Sequence, residues 1–173
     1  MNNLKDFIIQ FSGLSVGNHE FEFKVRRKFF ESFDYSELEE GELDILLNFD
    51  KQETMLILEF RIKGFVKVMC DRCLGDFNYQ INTGQQLIVK FGEDYQELSE
   101  DIVTIPENAY EFDIAPYVYE YINLALPIQR IHPADNDESQ CEADMTEKLD
   151  DLSGEQQIDP RWEALKDLKG KIE

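Results

Sequence analysis

An alternation of apolar and polar residues over much of residues 20–91 constrains the possible folds more than any other feature. In residues 20–26, for example, Phe21, Phe23 and Val25 alternate with Glu, Lys and Arg. Successive side chains of a β-strand point to opposite faces, so the pattern predicts strands with one buried side and one solvent-facing side. Short polar turns separate the runs, and strands joined in this way pair antiparallel. We therefore predict an antiparallel β-meander of about six strands.

The limits of the predicted strands follow from where each run begins and ends. Gly, Asn and Asp residues are typical of turns, and they place turns at residues 50–53, 63–64 and 82–84. A cluster of phenylalanines after residue 28 predicts one helical turn, and residues 93–101 are predicted to form an exposed acidic stretch. The predicted strands are residues 6–11, 20–26, 43–49, 56–62, 65–70, 77–81 and 87–91, with a short further strand at 102–105.

One amphipathic helix is predicted over residues 113–124. Asp113 is suited to the N-cap, Pro116 is tolerated in the first turn, and Pro127 follows the end. The apolar residues recur at helical spacing, so the helix should pack on the sheet and its aromatic stripe should belong to the core. They are Ile114, Tyr117, Val118, Tyr121 and Ile122. Strands with one packed helix place the chain in the α+β class.

Cys70 and Cys73 stand between two predicted strands, at the tip of a hairpin. Two thiolates at this spacing can share a tetrahedral metal ion, as in a zinc knuckle. The third cysteine is Cys141, and His132 lies near it in the sequence. The four residues make a Cys₃His set that could hold a structural zinc ion. The alternative is that Cys70 and Cys73 are reduced thiols packed under the hairpin tip, with Cys141 an incidental loop residue.

Acidic residues are concentrated in one part of the chain. The net charge is −20, and residues 93–159 carry −17 of it, with 19 acidic residues against two basic ones. Such a segment repels phosphate backbones and attracts basic proteins. It could also be a solvated linker whose charge aids solubility.

Three regions are expected from these patterns. Residues 1–127 should form a β-rich globular domain, 128–158 an acidic and flexible segment, and 159–172 a short C-terminal helix. That helix is too short to be stable alone, so it needs a surface to dock on. At its start, Arg161 and Trp162 are candidates for a partner-binding patch, although a core position is the commoner role of such a tryptophan.

No membrane partner is expected. The first apolar run is too short for a signal peptide and is interrupted by Asp6 and Gln10. No stretch reaches the roughly 18 apolar residues that a membrane span needs. We expect a cytoplasmic protein, in which thiols stay reduced.

Several motifs of this chain occur in the same order in one known family, from about residue 40 to the end. They are Cys70-Asp71-Arg72-Cys73-Leu74, Ile122-Asn123-Leu124-Ala125-Leu126-Pro127, His132, Cys141, and Asp159-Pro160-Arg161-Trp162 with Leu165 and Leu168. With these motifs and its acidic middle, the chain resembles the YceD family, also called the large ribosomal RNA subunit accumulation proteins.

The resemblance implies a bacterial cytoplasmic protein needed for normal accumulation of large-subunit ribosomal RNA. It also implies a gene that often lies beside that of a small basic large-subunit ribosomal protein. Some family members carry extra cysteines after the proline, in an arrangement similar to a zinc ribbon. This chain has only His132 and Cys141 there.

The expected function is a non-enzymatic role in large ribosomal subunit biogenesis. The acidic segment would hold a basic ribosomal protein or assembly factor until it meets ribosomal RNA. One alternative is direct binding of ribosomal RNA by a sheet face that carries Lys24, Arg26, Arg27, Lys63, Lys67 and Lys90. A second alternative is a thiol oxidoreductase that uses Cys70 and Cys73. Redox pairs of this kind usually start a helix, whereas here a strand precedes and another follows.

Overall fold

Within the described residues, six of the eight strands form one sheet. In their order across the sheet they are β2 (Gly17–Val25), β3 (Gly41–Lys51), β4 (Met55–Met69), β5 (Asp76–Gly92), β7 (Ile102–Pro106) and β6 (Gln96–Ser99). The structure, a computed structural model, describes residues 3–132, 141 and 143–153. All neighbouring pairs are antiparallel except β5 and β7, which are parallel. The predicted α+β class is confirmed, as is a sheet of about six strands, which is antiparallel as predicted apart from the pair of β5 and β7.

The two central strands are longer than the sequence predicts. The turns predicted at 63–64 and 82–84 are wrong, because the first stretch lies inside β4 and the second lies inside β5. The pairing of β3 with β4 continues without a break through Gly64, which lies opposite Leu43. Gly64 has a φ of 144°, a conformation that other residues rarely adopt. Gly64 therefore occupies a strained position within a strand, and the chain does not turn there.

The end of the meander also differs from the prediction. The strand predicted at 102–105 is confirmed as β7, but it lies parallel to β5. Residues 96–99, predicted as an exposed acidic stretch, form the edge strand β6. The chain leaves β5, forms the edge, and then returns so that β7 fills the space between them. Exposed side chains with little apolar character gave no strand signal in β6.

Helix α2 (Ala115–Leu124) packs on the inner face of the sheet, where Tyr121 meets Phe60 with ring centroids 5.4 Å apart. The predicted helix and its aromatic core positions are confirmed, but the helix begins at Ala115 and its N-cap is Ile114 rather than Asp113. The side chain of Asp113 accepts a hydrogen bond from the backbone amide of Ala115 at 2.9 Å. Asp113 itself belongs to the two-residue strand β8 (Phe112–Asp113), which pairs with β1 (Ile8–Ile9) in a separate small sheet.

Of the N-terminal strand predicted at residues 6–11, only two residues form a strand, and the rest of the prediction is wrong. Two 3₁₀ helices, Asn3–Phe7 and Phe11–Gly13, flank β1. Their phenylalanines are buried, since they cover the edge of the core rather than one face of a sheet. The predicted helical turn is confirmed as α1 (Arg27–Phe30), which buries two further phenylalanine rings.

Helix α3 (Ala143–Ser153) lies where the sequence predicted a loop. Met145, Leu149 and Leu152 fall at helical spacing, and Met145 packs against the core. The predicted helix at 159–172 lies outside the described residues, and the proposed division into three regions stays a prediction. None of the helices described here is long and apolar enough to cross a membrane.

Substitution of Gly64 by alanine should destabilise the protein. A Cβ at Gly64 would overlap the backbone of Glu42 in β3, and the positive φ adds strain. We expect a loss of about 3 kcal/mol in the free energy of unfolding, measured by urea denaturation. Gly84→Ala is the control, because a Cβ there meets only ordinary contact distance from Phe60. Equal stability of the two variants would contradict the assigned role of Gly64.

Candidate metal centre

Four potential metal ligands from distant parts of the sequence meet at one end of the sheet. The ligand atoms of Cys70, Cys73, His132 and Cys141 all lie within 4.8 Å of one another. The two sulfurs of the hairpin are buried, whereas the other two residues are partly exposed. Three sulfurs and one imidazole nitrogen at these separations are a donor set suited to a tetrahedral metal ion. The cluster could therefore hold a metal.

The first half of the cluster is the turn between β4 and β5. The last strand pair joins Met69 and Asp76, and the backbone amide of Cys70 donates to the carbonyl of Gly75 at 2.9 Å. The amide of Leu74 donates back to the carbonyl of Cys70 at 2.9 Å. Leu74 has a φ of 62°, an uncommon value for a non-glycine residue. This tight turn holds both cysteine side chains on the core side.

Residues just before His132 are fixed to the turn by a pair of hydrogen bonds. The amide of Asp71 donates to the carbonyl of Arg130 at 2.8 Å, and the amide of Arg130 donates to a carboxylate oxygen of Asp71 at 2.7 Å. The imidazole of His132 packs on the ring of Phe77, with centroids 4.6 Å apart. These contacts bring Nδ1 of His132 to 3.6 Å from the sulfur of Cys73.

Cys141 closes the cluster from the segment that leads into α3. Its sulfur lies 3.8 Å from that of Cys70 and 3.6 Å from Nδ1 of His132. Cys141 therefore reaches the same point as His132, nine positions earlier in the sequence. Because Cys141 lies two residues before Ala143, the beginning of α3 lies near this end of the sheet.

The surroundings of the sulfurs favour a thiolate at Cys70. Burial raises the pKa of this thiol, but backbone amides of Cys73, Arg72 and His132 outweigh burial and lower the pKa to about 6. The amide of Arg72 is 3.4 Å from the sulfur. Burial, followed by the neighbouring sulfurs of Cys70 and Cys73, raises the pKa of Cys141 to about 11. When thiols are this close, a negative charge on one raises the pKa of the others. A bound cation would stabilise all the thiolates and remove this repulsion.

The structure brings all four predicted ligand residues together. Sequence reasoning missed the hydrogen bonds between Asp71 and Arg130 and the packing of Phe77 on His132. These residues are far apart in the sequence, and no motif indicates that they are in contact. The other two predicted site residues, Arg161 and Trp162, lie outside the described residues, and their role stays a prediction.

Comparison with known families identifies the chain's relatives. A family model described as large ribosomal RNA subunit accumulation protein YceD matches residues 58–169, about two thirds of the chain. The chain belongs to the YceD family. The region that matches the YceD model contains all four residues of the cluster, together with β5 and α2. The family's description implies a role in the accumulation of large-subunit ribosomal RNA. No curated protein and no solved structure is detectably similar to the chain.

Proposed function

We propose that the protein is a non-enzymatic factor in large ribosomal subunit biogenesis that holds a basic ribosomal protein or assembly factor in the cytoplasm. The observation that carries this proposal is the −17 net charge of residues 93–159. The role in ribosomal RNA accumulation is taken from the family, and the charge suggests how the role is performed. A basic protein held on an acidic surface would be kept from binding RNA at the wrong place or time.

The ion pairs of the described residues support the proposal that the acidic segment is available to a basic partner. The six ion pairs found among them use carboxylates of residues 31–76, and none uses a carboxylate of residues 93–120. The acidic side chains of 93–120 are therefore not neutralised by Lys or Arg within the described part. Unneutralised charge of one sign raises the rate at which a partner of opposite sign is captured.

Direct RNA binding by the sheet is less well supported, because its basic residues have acidic neighbours. Arg27 pairs with Glu31 and Glu40 at 2.8 and 3.3 Å. Lys67 lies within 3.5 Å of carboxylates on both sides. The carboxylate of Asp44 lies 3.5 Å from Arg26, and in the strand register Asp44 stands between Lys24 and Lys63. A phosphate approaching this face would meet carboxylates as well as cations.

A thiol oxidoreductase is also less well supported. The pKa of Cys70 would suit a reactive thiolate, but the side chains of Cys70 and Cys73 are 0% and 3% exposed. Disulfide exchange requires an attacking thiol that the substrate can reach. Burial in a turn between two strands fits a structural role better.

We propose further that the cluster binds zinc. Three thiols and one imidazole are a set typical of closed structural zinc sites, and soft sulfur ligands favour zinc over magnesium or calcium. The backbone amide directed at the sulfur of Cys70 would stabilise a metal-bound thiolate. A zinc ion held by Cys70, Cys73, His132 and Cys141 would fasten the start of α3 to the sheet.

Metal analysis tests the zinc proposal. Protein purified without a chelator or a metal-affinity column should contain about one zinc per chain. His132→Ala should lower the zinc affinity about 100-fold or more, because it removes a ligand. His19→Ala, which alters the other histidine of the chain, is the matched control. Sub-stoichiometric zinc after anaerobic purification, or equal effects of the two substitutions, would contradict the proposal.

Capture from a lysate tests the holding function. The protein should retain a basic ribosomal protein or assembly factor at low salt and release it at high salt, since exposed charges are screened. A variant with Glu93, Glu100, Glu147 and Asp151 changed to amides should retain several-fold less.

The control changes four exposed glutamates outside the acidic segment to glutamine: Glu20, Glu22, Glu42 and Glu53. This variant has the same net charge as the first and should bind normally. The proposal fails if the native protein retains no basic ribosomal protein or assembly factor at low salt, or if both variants lose binding equally.

A further inference from the structure

Strand β6 (Gln96–Ser99) is an edge of the sheet formed by the described residues. It pairs with β7 on one side, and no other described strand pairs with its outer side. All four of its residues are exposed. Backbone amides and carbonyls on the outer side of an edge strand are available to a further strand. The register of β6 is irregular between Glu97 and Ser99, so a partner strand would be short.

Residues 93–101 give this edge a single sign of charge. Five of these nine residues are acidic, none is basic, and all nine are exposed. Charged side chains on an edge strand oppose pairing with neutral or acidic strands. The same carboxylates attract a strand that carries Lys or Arg, so the edge is selective rather than simply blocked.

Tyr95 and Leu98 add apolar contact area beside the carboxylates. Tyr95 is 53% exposed and Leu98 is 56% exposed. The hydroxyl of Tyr95 donates to a carboxylate oxygen of Glu97 at 2.9 Å and lies 3.0 Å from the hydroxyl of Tyr117 in α2. The ring is thereby held in place, and an immobilised tyrosine is a favourable surface for stacking of an arginine side chain.

One turn along α2 from Tyr117, the hydroxyl of Tyr121 is buried and has no hydrogen-bond partner within the described part of the chain. Burial, and then the charges of Asp101 and Glu120, raise the pKa of Tyr121, so the hydroxyl stays protonated. A buried polar group without a partner is uncommon in native proteins.

We propose that the β6 edge binds a Lys- or Arg-rich extended protein segment, which adds to the sheet as a seventh strand. Backbone hydrogen bonds would fix the orientation of the segment, and the carboxylates of residues 93–101 would select its cations. The inference rests on the proposed holding function and names the part of the acidic segment where the partner binds. A phosphate-bearing partner such as RNA is repelled by the same charges.

Three synthetic peptides test the role of the backbone against the full-length protein. The first alternates arginine and valine, the second alternates arginine and proline, and the third alternates glutamate and valine. The first should bind and should slow amide hydrogen exchange at residues 96–99. Proline cannot donate the backbone hydrogen bonds of a strand, so the second should bind about tenfold more weakly. The third should not bind.

Two charge-reversal variants test the location. Glu93→Lys with Glu100→Lys should weaken binding of the arginine–valine peptide about tenfold, because both ends of β6 become basic. Glu20→Lys with Glu22→Lys, on the opposite edge strand β2, changes the net charge equally and should have a much smaller effect.

Equal binding of the two arginine peptides, equal effects of the two variants, or tight binding of a single-stranded RNA at the same edge would overturn the inference. These failures differ from failure of the holding function. If a basic ribosomal protein is still captured from the lysate while β6 shows no protection, the holding function stands and only this assignment is wrong.

Discussion

The pairing of β4 with β5 along the whole of β4 is the interaction on which the rest of the structure depends. The pairing runs from Met55 opposite Lys90 to Met69 opposite Asp76, a length of about 45 Å. The inner side chains of both strands, such as Leu58, Phe60 and Leu87, are almost fully buried. Burial of each such side chain contributes about 2 kcal/mol. β3 and β7 each add to one side of this pair, α2 covers it, and the cysteine turn closes one end.

This arrangement separates two parts of the acidic segment. β7 pairs with β5 from Ile88 onward, and β6 follows β7, so the acidic edge lies at the end of β5 far from the cysteine turn. Ile88 lies twelve residues further along β5 than Asp76, a distance of about 40 Å. The start of α3 lies instead at the cysteine turn, where Cys141 meets Cys70. A large basic partner could contact both acidic parts, whereas a short basic peptide reaches only one.

Much of the fold could be predicted from residue alternation, and the errors have identifiable causes. Ile62, Val66 and Val68 stay in phase across Gly64, so the buried face continues through what looked like a turn. The same holds for Ile81 and Leu87, where two intervening polar residues on the inner face hid the continuity. Glycine was interpreted as a turn signal, although it can equally mark a close approach of two backbones.

The Cys₃His cluster could be predicted by residue type, because cysteine and histidine are the side chains that most often form such a donor set. The contacts that support the cluster could not be predicted from the sequence. The hydrogen bonds that join Asp71 to Arg130 connect residues far apart in sequence, and two common surface residues carry no signal of pairing. The edge strand β6 was missed for a related reason: its exposed side chains lack an apolar face, and its pairing depends on the backbone alone.

The central claim is that the Cys₃His cluster ties the segment containing α3 to the end of the sheet. Amide hydrogen exchange of the full-length protein, with and without removal of zinc by a chelator, tests it most directly. Chelation should speed exchange in residues 70–76, 128–132 and 143–153, while the central amides of β4 and β5 stay protected. Unchanged exchange in 128–132 and 143–153 after zinc removal, or equal loss of protection throughout the sheet, would contradict the claim.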